Sequence, residues 1–244
     1  MWIDSHCHLN DSSIVDLVAL LAASKAEGIT DFIVPATSLA EVPSLLAVCN
    51  NHGLYYALGV HPWFVDADIT QLHDVLLAKV QQNQPVAIGE IGLDKIRGAD
   101  LALQLEAFKC QLAIASATEL PVIIHNVKAS ELVLECLALH PKLTGVIHGF
   151  TGSYEQAREF VKLGFKIGIG AAALQAGAKQ MRLLANLTLD DMLLETDMPF
   201  YKVAVDYIEL LPAVARQIAI AQQVSMIDVA VATTNNAKQL FKLL

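Results

Sequence analysis

The sequence has no C-x-x-C pair, no glycine-rich nucleotide fingerprint, no low-complexity tract and no surplus of positive charge. Each absence removes a class of protein. The four cysteines, Cys7, Cys49, Cys110 and Cys136, are scattered, which fits reduced thiols in the cytoplasm and not a disulfide framework. Without a G-x-G-x-x-G run, hydride transfer from a bound dinucleotide has no signature. Lys and Arg number 16 against 25 Asp and Glu, for a net charge of −9, which argues against a broad basic face gripping duplex DNA. A polyanionic substrate would need local help from metal ions or a few placed cations. The most apolar late stretch, Val203 to Ala221, is broken by Asp206, Glu209, Pro212 and Arg216, which argues against a membrane span. At the start of the chain, Asp4 and His6 stand where a signal peptide would need its apolar core, so a cytoplasmic protein is expected.

What is present is apolar and evenly spread: 55% of the residues are hydrophobic and 17% charged, the balance of a well-packed globular chain. Short apolar runs alternate with stretches of helical period. The runs are 2–8, 31–35, 55–60, 86–92, 121–125, 145–148, 166–170 and 192–197, and helices are expected between them and twice after the last. Ser12 or Ser13 offers a cap for the first helix, Gly28 and Gly53 offer stops, and Ser153-Tyr154-Glu155-Gln156 has the spacing of a capping box. Eight such units in 244 residues predict a single-domain TIM (β/α)8 barrel over residues 1–244. A doubly wound open sheet is the alternative, and eight units fit closure better.

In such a barrel the site lies at the C-terminal ends of the strands. Ile3-Asp4-Ser5-His6-Cys7-His8 puts two imidazoles on one face of an extended segment, with Cys7 on the other. His61 ends the third run, Glu90 the fourth, His125 the fifth, His148 the sixth and Asp197 the eighth. Five of the eight histidines thus fall at the rim, and His52, His73 and His140 take surface or capping roles. One strand-end histidine is ordinarily a hydrogen-bonded core residue. Several imidazoles and two carboxylates converging on one mouth would be costly to bury without a cation. The expected arrangement is His6, His8, Glu90 and Asp197 around one divalent ion, with Glu90 bridging to a second held also by His125 and His148. Mixed nitrogen and oxygen donors suit Zn²⁺, Mn²⁺ or Mg²⁺ without choosing among them. Water acidified there to hydroxide would be oriented by Asp197, which takes its proton, making Asp197 and Glu90 the expected catalytic residues of a hydrolase. His61 could be a ligand, a capped histidine or a substrate contact, and the last is favoured. Trp63 and Phe64 beyond it could stack on a base.

The segments Ile3–Asn10, Gly59-Val60-His61-Pro62, Ala87-Ile88-Gly89-Glu90-Ile91-Gly92-Leu93-Asp94, Pro121–His125, His148-Gly149-Phe150-Thr151-Gly152 and Leu194-Glu195-Thr196-Asp197 resemble the TatD family of metal-dependent deoxyribonucleases, a branch of the amidohydrolase-like metallohydrolases. D-S-H-x-H alone is shared widely; G-E-I-G-L-D and E-T-D in this order make the match specific. The resemblance implies a TIM barrel, a two-metal site at these residues and phosphodiester hydrolysis, often 3′ to 5′ on DNA. Two departures fall in the substrate rim. The family usually carries an arginine two positions after the strand-five histidine, where this chain has Val127 with Lys128 beside it. It also usually has a longer polar loop after the strand-eight aspartate. Lys95, Arg97, Lys128 and Lys202 remain as cations that could reach a phosphate.

The expectation is a metal-dependent phosphodiesterase or 3′–5′ exodeoxyribonuclease acting on single-stranded DNA ends or short oligonucleotides. Amide or ester hydrolysis by the same centre is the alternative, and a metal-binding partner protein without catalysis is a third reading.

Overall fold

The apolar runs become eight strands: β1 (Trp2–Asp4), β2 (Ile29–Pro35), β3 (Tyr55–Leu58), β4 (Ala87–Asp94), β5 (Val122–Val127), β6 (Gly145–Ile147), β7 (Phe165–Ile169) and β8 (Met192–Leu194). The structure, a computed structural model, describes residues 1–175, 177–200 and 205–243. Lys202 and part of the chain between β8 and the next helix lie outside them. Each strand pairs in parallel with its successor, β1 through β8. The circle is completed where Ser5 N–H donates to the Leu194 carbonyl at 2.9 Å and Asp197 N–H to the His6 carbonyl at 2.9 Å. The helices are α1 (Leu17–Ala26), α2 (Val42–His52), α3 (Leu72–Asn83), α4 (Leu101–Thr118), α5 (Ser130–Ala138), α6 (Tyr154–Lys162), α7 (Ala178–Asn186), α8 (Tyr207–Gln222) and α9 (Met226–Phe241). Among the described residues no helix is long and apolar enough to cross a membrane.

The capping box at Ser153 and Gln156 opens α6 as its spacing predicts. The start of α1 differs from expectation. Asp16, not Ser12 or Ser13, is the cap and accepts from Ala19 N–H at 2.9 Å, while Ser13 N–H is bound to Asp11 Oδ1 at 2.8 Å in the preceding turn. A carboxylate in reach of the first free N–H groups serves as well as a hydroxyl. Strand β4 also runs further than expected. It slips register between Ile88 and Ile91 and continues to pair Gly92 with His125 and Asp94 with Val127. Glu90 therefore sits inside the strand and not at its end. Glycine is required at position 92, where φ is +143° and a Cβ would come within 2.0 Å of the His125 carbonyl.

Alternation along the strands divides the barrel interior into two layers. The lower layer is an apolar plug of Ile3, Ile33, Ala57, Ala87, Ile123, Val146 and Leu193, closed by Ala237 and Phe241 of α9. Thr234 Oγ1 of that helix donates to the Met1 carbonyl at 3.0 Å, fixing α9 across the strand N-terminal ends. Two residues beyond Ile123, Val146 and Leu193 come His125, His148 and Glu195. The opposite strand faces, including Ile88, Val122, Ile124, Ile147, Met192 and Leu194, pack against the helices. One periodicity thus delivers apolar side chains below and ionisable ones above.

Candidate metal centre

Just past β1 the backbone is held alternately by its neighbours. Cys7 N–H donates to the Ile33 carbonyl at 3.2 Å and His8 N–H to the Met198 carbonyl at 2.7 Å. Cys7 points outward into the core with its Sγ 3.7 Å from the Ile33 carbonyl, while His6 and His8 converge with their Nε2 atoms 3.1 Å apart.

Four donors about 2.1 Å from one ion in a tetrahedral array stand about 3.4 Å from one another. The first group of donors has that spacing. His6 Nε2 lies 3.3 Å from Glu90 Oε2 and 3.6 Å from Asp197 Oδ1, and His8 Nε2 lies 3.6 and 3.5 Å from the same two oxygens. A second group gathers on the other oxygen of Glu90. Its Oε1 is 2.7 Å from His148 Nε2, 3.1 Å from His125 Nδ1 and 3.4 Å from His61 Nε2. Within that group His125 Nδ1 and His148 Nε2 are 3.2 Å apart, and the His6 and His148 rings stack at 3.9 Å. The donor atoms of His6, His8 and Glu90, of His6, His148 and Asp197, and of His61, Glu90 and His125 each lie close enough to hold a metal ion.

The protonation pattern also fits a cation. Burial drives His6 down to about 4 and His61 down to about 3, leaving both imidazoles neutral. His148 goes the other way. Burial opposes its charge, but the adjacent Glu90 carboxylate outweighs it and pushes the imidazole up to about 10. Burial likewise opposes charge on Glu90, yet His148, His61 and His6 around it hold the carboxyl well below its usual range. Against burial, the Glu90 and Asp197 carboxylates thus favour positive charge at this place, with both His148 and His8 shifted upward. A divalent cation supplies that charge and uses the neutral lone pairs beside it. The donor set and spacing therefore fit a divalent metal.

All six expected ligands come together. His61, expected to meet substrate, lines the same cleft with its Nε2 3.4 Å from Glu90 Oε1, while its Nδ1 accepts from Trp63 N–H at 3.1 Å. The cations disperse. Arg97 lies over the Trp63 ring, 4.0 Å from its centroid, and lines a cleft of about 480 Å³ that opens on the centre between Trp63, Phe64 and Phe200. Lys128, beside Val127, lines a second recess of about 320 Å³ that also reaches His125, His148 and Asp197. Lys95 is exposed and lines neither.

Sequence reasoning missed three buried carboxyls that stand behind the donor groups. Asp4 accepts from Thr196 Oγ1 at 2.6 Å, Thr196 N–H at 3.0 Å and Tyr207 Oη at 3.0 Å, tying β1 to β8; burial pushes it up to about 6. Glu195 accepts from Gly149 N–H, and its Oε1 stands 4.0 Å from His148 Nδ1; burial pushes it up to about 8. It fills the space a side chain on β7 would take, since a Cβ at Gly168 would meet Glu195 Oε2 at 2.2 Å. Asp94 accepts from Trp63 Nε1 at 2.7 Å and stands 3.3 Å from His125 Nε2. The signal in each case was an acidic residue within an otherwise apolar strand segment.

The model of TatD-related DNases matches residues 3–242. An Escherichia coli protein described as the uncharacterized metal-dependent hydrolase YjjV is 38% identical over 211 residues, covering 81% of this chain and 79% of its own. The crystal structure of E. coli YjjV, a TatD homologue, superposes with a TM-score of 0.90 at 32% identity, covering 100% of this chain and 98% of the other. A Cronobacter sakazakii protein described as the 3′-5′ ssDNA/RNA exonuclease TatD is 33% identical over 187 residues, covering 74% of this chain and 71% of its own. A barrel with nitrogen and oxygen donors gathered at its C-terminal mouth, matched over nearly its whole length, makes this chain a member of the TatD-related DNase family of metal-dependent hydrolases.

Proposed function

We propose that this chain is a two-ion phosphodiesterase that removes nucleotides from the 3′ ends of single-stranded DNA or short oligonucleotides. The observation that carries the reading is Glu90, which offers one carboxylate oxygen to each of two donor groups. In it, His6, His8, Glu90 and Asp197 hold one ion, and Glu90, His125 and His148 hold the other with His61 Nε2 beside them. Divalent ions bound there supply acidified water and neutralise charge on a phosphate oxygen.

The chain's own groups do the rest. Both Glu90 and Asp197 line the cleft, and Asp197, with 24% of its side chain exposed against 3% for Glu90, presents more of its carboxylate to it. Its Oδ1 faces the imidazoles, and Oδ2 takes the proton from the attacking water. Trp63 and Phe64, 37% and 50% exposed, form a platform on which any base can stack. Arg97 is held over that platform to meet a phosphate, and Lys128 offers a second positive charge across the centre. A cleft of about 480 Å³ is the size of sites that enclose small ligands. Together with a net charge of −9, that favours a frayed end over a long duplex. The name of the Cronobacter relative supports the same substrate and direction.

The test is release of labelled mononucleotide from a 3′-labelled single-stranded oligonucleotide, after chelation and readdition of Mg²⁺, Mn²⁺ or Zn²⁺. Metal-dependent release by the wild type, reduced about 10²–10⁴-fold in Asp197→Asn, is the expected result. A wild type that binds metal yet leaves the oligonucleotide intact overturns the phosphodiester reading and directs attention to amide and ester substrates.

A further inference from the structure

Outside the two donor sets, Asp94, at the end of β4 and only 4% exposed, is a buried carboxyl with four hydrogen-bond partners. Its two oxygens are divided between two tasks. Oδ2 accepts from Trp63 Nε1 at 2.7 Å and lies 3.3 Å from His125 Nε2. Oδ1 accepts from the backbone N–H groups of Ile96 at 2.8 Å and Arg97 at 3.0 Å. One carboxylate therefore touches a ring whose opposite nitrogen faces Glu90, the indole lining the cleft, and the backbone of the arginine stacked on that indole.

The loop that carries these groups is anchored from behind. The Gln104 side chain receives Asp94 N–H at 2.8 Å and donates to the carbonyls of Asp94 at 3.1 Å, Arg97 at 3.2 Å and Ala99 at 2.7 Å. Ala99 N–H returns to the Pro62 carbonyl at 3.3 Å. At Gly98, with φ +102°, a Cβ would fall 2.6 Å from that same carbonyl, so the loop lies against residues 62–63 with no room between. Turning the Trp63 indole would move Asp94, and moving Asp94 would free the His125 ring.

We infer that Asp94 is a positioning residue that makes the ligand His125 and the substrate-facing pair Trp63 and Arg97 one mechanical unit, so that filling the second ion site sets the cleft wall. A carboxylate beside Nε2 keeps the proton on that nitrogen and leaves the Nδ1 lone pair for the ion, and it fixes the ring plane. The same oxygen holds the indole. The inference rests on the reading of His125 as a ligand of the second ion, not on the choice of phosphodiester as substrate.

Asp94→Asn tests it, because the amide oxygen can still close the turn at Ile96 and Arg97 while the amide nitrogen cannot accept the hydrogen bonds of His125 Nε2–H and Trp63 Nε1–H. Calorimetric titration of the chelated protein with Mn²⁺ should give two events in the wild type. In the variant the second should weaken about 10–100-fold, with the first unchanged. Indole emission in a Trp2→Phe background reports Trp63 alone, since the chain has two tryptophans. Mn²⁺ should shift that emission as the second event saturates, and the shift should vanish when Asp94→Asn is added. Trp63→Phe separates the two halves of the unit: it should retain the second event while raising KM more than it lowers kcat. Two wild-type-like Mn²⁺ events together with an intact emission shift in Asp94→Asn overturn the inference. A wild type that takes up a single ion overturns the two-ion reading and the inference with it.

Discussion

The two layers of the barrel interior are built on the same strands and differ in what holds them. Below, Ile123, Val146 and Leu193 meet across the axis and are fully buried; water-avoiding area stabilises them whatever else is bound. Above, two residues further along the same strands, His125, His148 and Glu195 are also buried or nearly so, yet their burial is unfavourable unless charge is matched. The Glu90 carboxylate, 2.7 Å from His148 Nε2, favours positive charge on that imidazole. The lower layer is complete in itself, and the upper layer is a set of lone pairs that a cation completes.

The sharpest way to break this contrast is Glu90→Gln, which removes the carboxylate whose two oxygens face the two donor groups. Metal-dependent hydrolysis is expected to fall about 10²–10⁴-fold. Divalent metal should raise the wild-type melting temperature, because a ligand that binds only the folded chain stabilises it, and that rise should disappear in the variant. A variant that still gains the wild-type increment from Mn²⁺ would show that Glu90 is not the bridge.

Ile123→Ala attacks the other layer. It deletes a fully buried side chain two residues before His125, and about 2–5 kcal/mol of unfolding free energy should be lost in urea denaturation. Metal affinity of the folded protein should hold, since the β5 backbone that carries His125 remains paired to β4 and β6. If stability and metal affinity fall together, the layers are not independent.

Gly168→Ala probes the boundary between them. The new methyl would stand 2.2 Å from Glu195 Oε2, and Glu195, whose Oε1 is 4.0 Å from His148 Nδ1, must shift. Overpacking of this kind costs about 1–3 kcal/mol, and here it should also weaken metal binding. Restoring space with Glu195→Asp in the same chain should recover part of the stability.

The lower layer and the gathering of nitrogen and oxygen donors above it were both legible because each follows from a local rule. Apolar runs of strand length and side chains alternating by two place Val146 and His148 on one face without any tertiary knowledge. The supports were not legible. Nothing near Asp94 in sequence says that its oxygen will meet an indole 31 residues earlier and an imidazole 31 residues later, and Asp4 finds its partners at Thr196 and Tyr207. The orientation of His61 was hidden for a similar reason, since the N–H of Trp63 decides which ring nitrogen remains free. Gly92 read as the end of a strand, whereas the close passage of the His125 carbonyl makes it a position within one. Local pattern names the faces; contacts between distant segments decide what each polar atom on them does.

The smallest expected effect separates the two cations that flank the upper layer. Arg97 is stacked on Trp63, and the loop that carries it is tied down by Gln104 and Asp94. Lys128 lines its recess on a backbone with φ +52°, and its flexible stem has more rotamer freedom to lose on meeting a phosphate. Arg97→Ala should therefore raise KM for an oligonucleotide by roughly tenfold and Lys128→Ala by roughly threefold, the sizes expected for one charge-assisted hydrogen bond that is preorganised and one that is not. Both should leave the two Mn²⁺ events unchanged, and each should reduce the salt dependence of binding. The reverse order would make the Lys128 recess the principal phosphate contact. The aromatic platform with Arg97 would then be left to hold the base alone.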